Sequence, residues 1–209
     1  MQTPITIWGR LSSINVRKVV WAAQEAGVAF ERIDAGAAFG VVDTAAYRQL
    51  NPNGLIPTLQ DGELTLWESN TIVRYLATRH PASGLMPADT RRRFLAEQWM
   101  DWQQTTINRT SFDAFIQLIR TPADKRQHAL IEQSAARTAP LLDLLEAHLA
   151  QSAFLAGDDF SMADIPVGCE IHRWFGLPLE HPPRQHLQRW YAAVQARPAS
   201  RGVLDQELS

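Results

Sequence analysis

The stretch from Asn51 to Ser69 leaves the chain little freedom. Asn51-Pro52-Asn53-Gly54-Leu55-Ile56-Pro57 sets two prolines and a glycine ahead of Thr58-Leu59, a tight approach into a short strand. Asp61-Gly62 reads as a hairpin turn and Leu64-Thr65-Leu66 as the returning strand. Glu68 and Ser69 then stand where a strand gives way to a helix. A helix start offers unpaired backbone N–H groups and the positive end of the aligned peptide dipoles, a setting that holds a carboxylate. With the Ser69 hydroxyl added, and Glu68 beside it to meet an ammonium group, the pair suits an α-amino acid zwitterion.

Ile56-Pro57 carries a second expectation. A proline that opens a short strand can sit in cis, and the residue before it then turns its backbone N–H and C=O outward to pair with an extended peptide. The expected ligand is peptide-like, lying against Leu55-Ile56 with an amino-acid head at Glu68-Ser69.

Around this stretch the spacing of apolar residues predicts two architectures in succession. Pro4 to Trp8 reads as a first buried strand and Gly9 to Ser13 as a loop. Ile14 to Gly27 is helical, with Val16, Val19, Val20, Ala23 and Ala26 on one stripe and Arg17, Lys18, Gln24 and Glu25 off it. Val28 to Ile33 is a second strand, which the helical crossover makes parallel to the first. Ala35 to Val42 is a loop, Asp43-Thr44 caps a short helix through Leu50, and Ser69 to Arg79 is a helix burying Ile72, Val73, Leu76 and Ala77. His80 to Asp89, with two prolines, a glycine and no period, marks a boundary.

Beyond it only helices are expected. Leu95, Trp99, Trp102 and Thr106 begin a buried face that continues toward Phe112, Phe115, Ile116 and Ile119, with a bend near Asn108 to Ser111. Pro122 breaks this pattern, and Asp124 is placed to cap the next helix, whose apolar face is Ile131, Ala135, Leu142, Leu145 and Leu149. Ser161 and Asp164 form a capping box, and Pro166 is expected to bend or loosen the helix that follows. A last helix runs from about Arg184 to Ala196. The expected organisation is an α/β domain over residues 1–80, a linker over 81–89 and an all-α domain over 90–209.

Four motifs in order, Ser13-Ile14-Asn15-Val16-Arg17-Lys18-Val19, Asn51 to Pro57, Glu68-Ser69-Asn70-Thr71-Ile72 and Ser161-Met162-Ala163-Asp164, resemble those of the cytosolic glutathione S-transferases. The likeness is to bacterial, serine-type members near the theta, phi and nu classes. It implies a thioredoxin-like N-terminal domain followed by an all-helical C-terminal domain. It further implies glutathione as co-substrate, no metal, a small hydrophobic electrophile as second substrate, and a homodimer. Asn53, Leu55, Ile56, Pro57, Glu68 and Ser69 become the expected glutathione-binding residues. Many relatives place a lysine, histidine or arginine after the second strand to meet the glycyl carboxylate of glutathione. Ala35 to Ala46 contains no basic residue, which leaves a backbone amide, Arg48, Asn53 or a partner subunit for that task.

The resemblance puts Ser13 at the catalytic serine position. A thiol has a pKa of about 8.5, lowered by a helix N-terminus or a hydrogen-bond donor. At the start of the first helix, the Ser13 hydroxyl and the peptide dipoles would together favour the glutathione thiolate, with Ser13 as donor and neither base nor nucleophile. The competing role for Ser13 is a plain helix cap, and Ser12 is its neighbouring candidate. Asn15 could give the sulfur a second donor, as in members that reduce disulfides, or bond locally in the first turn. Phe112, Phe115 and Trp174 are the aromatic side chains assigned to the hydrophobic substrate site, although such residues are usually core. Cys169 reads as a packed thiol.

Composition removes several other classes. Net charge is −2 with both signs interspersed, so neither nucleic acid nor an anionic membrane is expected as partner. No apolar run approaches the roughly 18 residues of a membrane span, and no signal pattern opens the chain, so a cytoplasmic location is expected. A single cysteine excludes an intrachain disulfide, and the histidines show no metal-ligand spacing. The expected function is glutathione transfer; a glutathione-dependent disulfide reductase and a non-catalytic binding module of the same fold are the alternatives.

Overall fold

Alternation in Ile5-Thr6-Ile7-Trp8 turns Ile5 and Ile7 into the core and forms strand β1 (Ile5–Trp8) of a computed structural model that describes residues 5–209. Pro4, expected to open this strand, lies outside the described residues. Helix α1 (Ile14–Glu25) leads to β2 (Phe30–Ile33), which pairs parallel to β1 with Ile5 opposite Phe30. Val28 and Ala29 precede that strand. A single 3-10 turn at Ala37–Phe39 lies in the loop before α2 (Ala45–Leu50), which is capped by the Thr44 hydroxyl accepting from Tyr47 N–H at 3.2 Å. β3 (Thr58–Asp61) returns antiparallel to β1, and β4 (Leu64–Trp67) pairs antiparallel with β3 across a turn at Gly62-Glu63. The sheet order is β2-β1-β3-β4, and α3 (Ser69–Arg79) packs beside α1. Ile7, Val16, Val19, Trp21, Leu59 and Leu76 are fully enclosed in this first compact unit, Met1–Met86.

Arg17 and Lys18, expected off the buried stripe of α1, are buried. Every residue from Val16 to Ala23 is buried, so α1 has no single apolar side along that run. Arg17 tolerates this because its Nε donates to the Leu11 carbonyl at 2.9 Å and its aliphatic stem packs as an apolar chain would.

The second unit, Pro87–Ser209, is helical. Asp89 caps α4 (Thr90–Trp102) by accepting from Arg92 N–H at 2.8 Å. The helix runs on through a π turn at Gln103–Ile107, α5 (Asn108–Phe115) and a second π turn at Ile116–Arg120. The irregularity expected near Asn108 to Ser111 therefore begins at Gln103. Leu95 and Phe112, both expected on the buried face, are 39% and 45% exposed, whereas Gln103 and Ser111 point inward. The reason is electrostatic. Glu170, buried on α7 (Asp164–Phe175), accepts from Gln103 Nε2 at 2.9 Å, Ser111 Oγ at 2.6 Å and Arg173 Nη2 at 2.6 Å, so polar residues take inward positions of the long helix.

α6 (His128–Leu149) buries Ile131, Leu142, Leu145 and Leu149. Asp124, expected to cap it, lies in a 3-10 turn at Ala123–Lys125, and α6 starts after Gln127 without a side-chain cap. The chain reaches that start through a Gln127 N–H to Gln117 Oε1 bond of 2.8 Å instead. Pro166 does not break α7, which continues to Phe175: so close to the helix start its missing N–H has no helical partner to lose. The expected Ser161–Asp164 capping box does not form, since α7 starts at Asp164 with Ala163 as its N-cap and no side-chain capping bond; the Asp164 carboxylate instead accepts from Ser161 N–H at 2.9 Å, Leu155 N–H at 3.1 Å and Trp190 Nε1 on α8 (Gln185–Gln195) at 2.8 Å.

Candidate active site

Ser13 occupies the N-cap of α1 in extended backbone, φ −84° and ψ 124°, yet its hydroxyl makes no capping bond. Its N–H donates to the Arg10 carbonyl at 3.1 Å and its carbonyl accepts from Arg17 N–H at 3.0 Å, which fixes the backbone and leaves the side chain without a hydrogen-bond partner among the described residues. Two residues on, Asn15 Oδ1 accepts from Ser69 Oγ at 3.3 Å, so the starts of α1 and α3 meet. The structure thus brings Asn15 and Ser69 into contact, with Ser13 two residues before Asn15 at the start of α1. Ser12 is half-buried beside them.

The approach to β3 is braced from beneath. Asn51 Nδ2 donates to the Leu55 carbonyl at 2.8 Å and to Thr58 Oγ1 at 3.2 Å, and Tyr47 OH donates to the same carbonyl at 2.8 Å. Burial raises the Tyr47 pKa above the ordinary phenol value, which keeps it a neutral donor. Asn53 is exposed but turned back, its N–H and Nδ2 both donating to Asn51 Oδ1 at 3.1 Å. Leu55 offers an exposed side chain and no free carbonyl, so it is Ile56, ahead of a cis peptide bond to the buried Pro57, whose N–H and C=O lack a protein partner among the described residues.

Glu68 is exposed and sits at φ 71°, ψ 109°, in the left-handed half of backbone space that a residue with a β-carbon rarely enters. That conformation turns the chain sharply from β4 into α3, and the Glu68 side chain makes no capping bond to the helix it precedes. Arg48 pairs with Asp43 at 3.1 Å on the surface, and a second guanidinium, that of Arg10, lies against Gly36.

The three aromatic candidates of the helical unit have three different settings. Phe112 is exposed. Phe115 is buried, with the Arg120 and Arg173 guanidinium carbons 4.9 Å and 5.2 Å from its ring centre. Trp174 lines an open pocket of about 390 Å³ with Leu142, Leu179, Glu180, His181 and Arg184. Cys169 is buried in α7. Among the described residues no group of three or more His, Cys, Asp or Glu side chains is placed to hold a metal ion.

A four-stranded sheet with two helix starts in contact is followed in the chain by an all-helical unit. Comparison with known proteins assigns this arrangement to a family. The glutathione S-transferase N-terminal domain matches residues 3–78 and the glutathione S-transferase C-terminal domain matches residues 129–193. Glutathione S-transferase GstB of Escherichia coli K12 is 41% identical over 202 residues, covering 96% of this chain and 97% of that protein. Glutathione S-transferase 3 of Zea mays is 32% identical, covering 94% and 91%. The crystal structure of a theta-class glutathione S-transferase from Xanthomonas axonopodis pv. citri, solved with glutathione bound, is 48% identical, covers both chains fully and superposes with a TM-score of 0.95. The chain belongs to the glutathione S-transferase family and is an enzyme of that family.

Proposed function

We propose that the enzyme binds glutathione along Ile56, holds its γ-glutamyl head at Glu68-Ser69 and stabilises its thiolate at Ser13 for attack on a small hydrophobic electrophile. The observation that carries this is the Ser13 hydroxyl: it stands at a helix N-cap without capping the helix, and so is available to donate to a ligand. A donor and the positive end of α1 both favour sulfur as an anion, and the thiolate is the nucleophile. The test is Ser13→Ala, read by the ultraviolet absorbance of bound thiolate against pH. The expected outcome is a rise of about one unit in the pKa of bound glutathione, equivalent to about 1.4 kcal/mol, with kcat/KM lower and glutathione affinity little changed. An unchanged thiolate titration would overturn the role of Ser13.

Disulfide reduction is the second reading, and Asn15 favours it. Its Oδ1 is taken by Ser69, which leaves Nδ2 as the group free to donate to sulfur. The remaining family traits, a homodimer in the cytoplasm with Phe112, Phe115 and Trp174 contributing to the electrophile site, complete the proposal. The likeness to a bacterial glutathione S-transferase supports the location; among the described residues no helix is long and apolar enough to cross a membrane.

A further inference from the structure

Glutathione carries a second carboxylate on its terminal glycine, and the segment Ala35 to Ala46 offers it no cation. The nearby arginines are mostly engaged. Arg48 is held by Asp43 and, at 3.4 Å, by the Pro52 carbonyl; Arg32 is held by Asp34 and by the Gly9 carbonyl at 2.9 Å. We propose that Arg10, from the loop between β1 and α1, is the cation that binds the glycyl carboxylate, an inference that rests on the glutathione reading above.

Four observations carry it. The Arg10 side chain is half-buried and its guanidinium has no hydrogen-bond or ion-pair partner among the described residues. Its backbone N–H donates to the Ala35 carbonyl at 3.2 Å, which fixes the base of the side chain against the loop after β2. The guanidinium lies over Gly36: a β-carbon there would stand 2.9 Å from Arg10 Nη1, and Gly36 has φ +81°, so glycine at 36 keeps the place open for the arginine. That same β-carbon would stand 3.1 Å from Ile56 Cδ1, which puts the guanidinium next to the residue whose backbone is free to pair with a peptide.

The geometry suits a tripeptide. With the middle residue paired to Ile56 and the head on the Ser69 side, the last residue continues about 3.3 Å further along an extended chain, toward a cation beside Ile56. A guanidinium presents a planar fork of donors that takes a carboxylate through two parallel bonds. A cation drawn from the β1–α1 loop also explains how the segment after β2 can do without one.

Calorimetric titration with glutathione and with its glycine monoethyl ester tests the assignment on the full chain. The ester removes only the glycyl charge. Wild type is expected to bind the ester about tenfold more weakly than glutathione, the scale of a charge-assisted pair. Arg10→Leu should weaken glutathione binding by a similar factor and leave ester binding within about twofold, closing the gap between the ligands, and Arg10→Lys should keep part of it. A full gap persisting in Arg10→Leu, or equal binding of the two ligands by wild type, would overturn the assignment while leaving the transferase reading intact. Wild type that binds neither ligand rejects both. If Arg10→Leu fails to fold, as thermal unfolding would report, Arg10→Gln decides by the same criterion.

Discussion

Glu68 is the residue at which ligand chemistry and backbone conformation pull in opposite directions. Its positive φ costs roughly 1–3 kcal/mol, a strain that glycine would not bear. Glu68→Gly is therefore expected to leave thermal stability unchanged or higher, since relief of the strain offsets the roughly 0.5–1 kcal/mol of added chain entropy. Glutathione binding, measured by calorimetry, should weaken about tenfold with loss of the carboxylate. A variant both less stable and equally tight in binding would contradict the role given to this side chain. At this scale the sequence was legible where a residue type has one conformational use. Pro57 in cis and Gly62 in the turn both arise from residue types with a distinctive backbone preference, whereas nothing in the residue type announces the positive φ of Glu68. Arg10 carries no such mark: sequence order directs attention to the segment between β2 and Asn51, whereas the loop after β1 supplies a cation that is near only in space.

Among the elements, α7 concentrates the charges that apolar spacing does not register. Asp164 is fully buried, and burial pushes its carboxyl from the ordinary 3.8 up to about 6 against the opposing pull of donors from Leu155, Trp190 and Ser161. A carboxyl whose pKa is higher folded than unfolded stabilises the fold while it is protonated. That contribution is full below about pH 4 and is lost as pH rises through about 6. Unfolding free energy of wild type should accordingly fall between pH 4 and 6 more steeply than that of Asp164→Asn, by up to about 1.4 kcal/mol per pH unit, in parallel denaturant titrations. Parallel slopes would show that the carboxyl does not titrate in this range. The same helix accounts for the inward polar residues of the long helix. Gln103 and Ser111 serve Glu170, so a face drawn from apolar residues alone picks Leu95 and Phe112 in their place. Regular α stepping also carries no warning of a π turn, which inserts an extra residue and rotates the remainder of the helix by about 100°.

For the molecule as a whole, the family trait of dimerisation gives a direct expectation: light scattering behind size exclusion should return twice the chain mass at micromolar concentration, and a monomer would remove the dimer from the proposal. The order of architectures, sheet first and helices after, was readable because the hydrophobic period changes from two to 3.6 residues at a stretch rich in proline and glycine. The division between Met86 and Pro87 places the buried Ile7 and Leu76 in the first compact unit and the buried Ile107 and Trp190 in the second. A genetic crossover at that codon would hand each unit on whole. Descendants of such a gene could trade helical halves while inheriting unchanged the first 86 residues that hold Arg10, Ser13, Ile56 and Ser69.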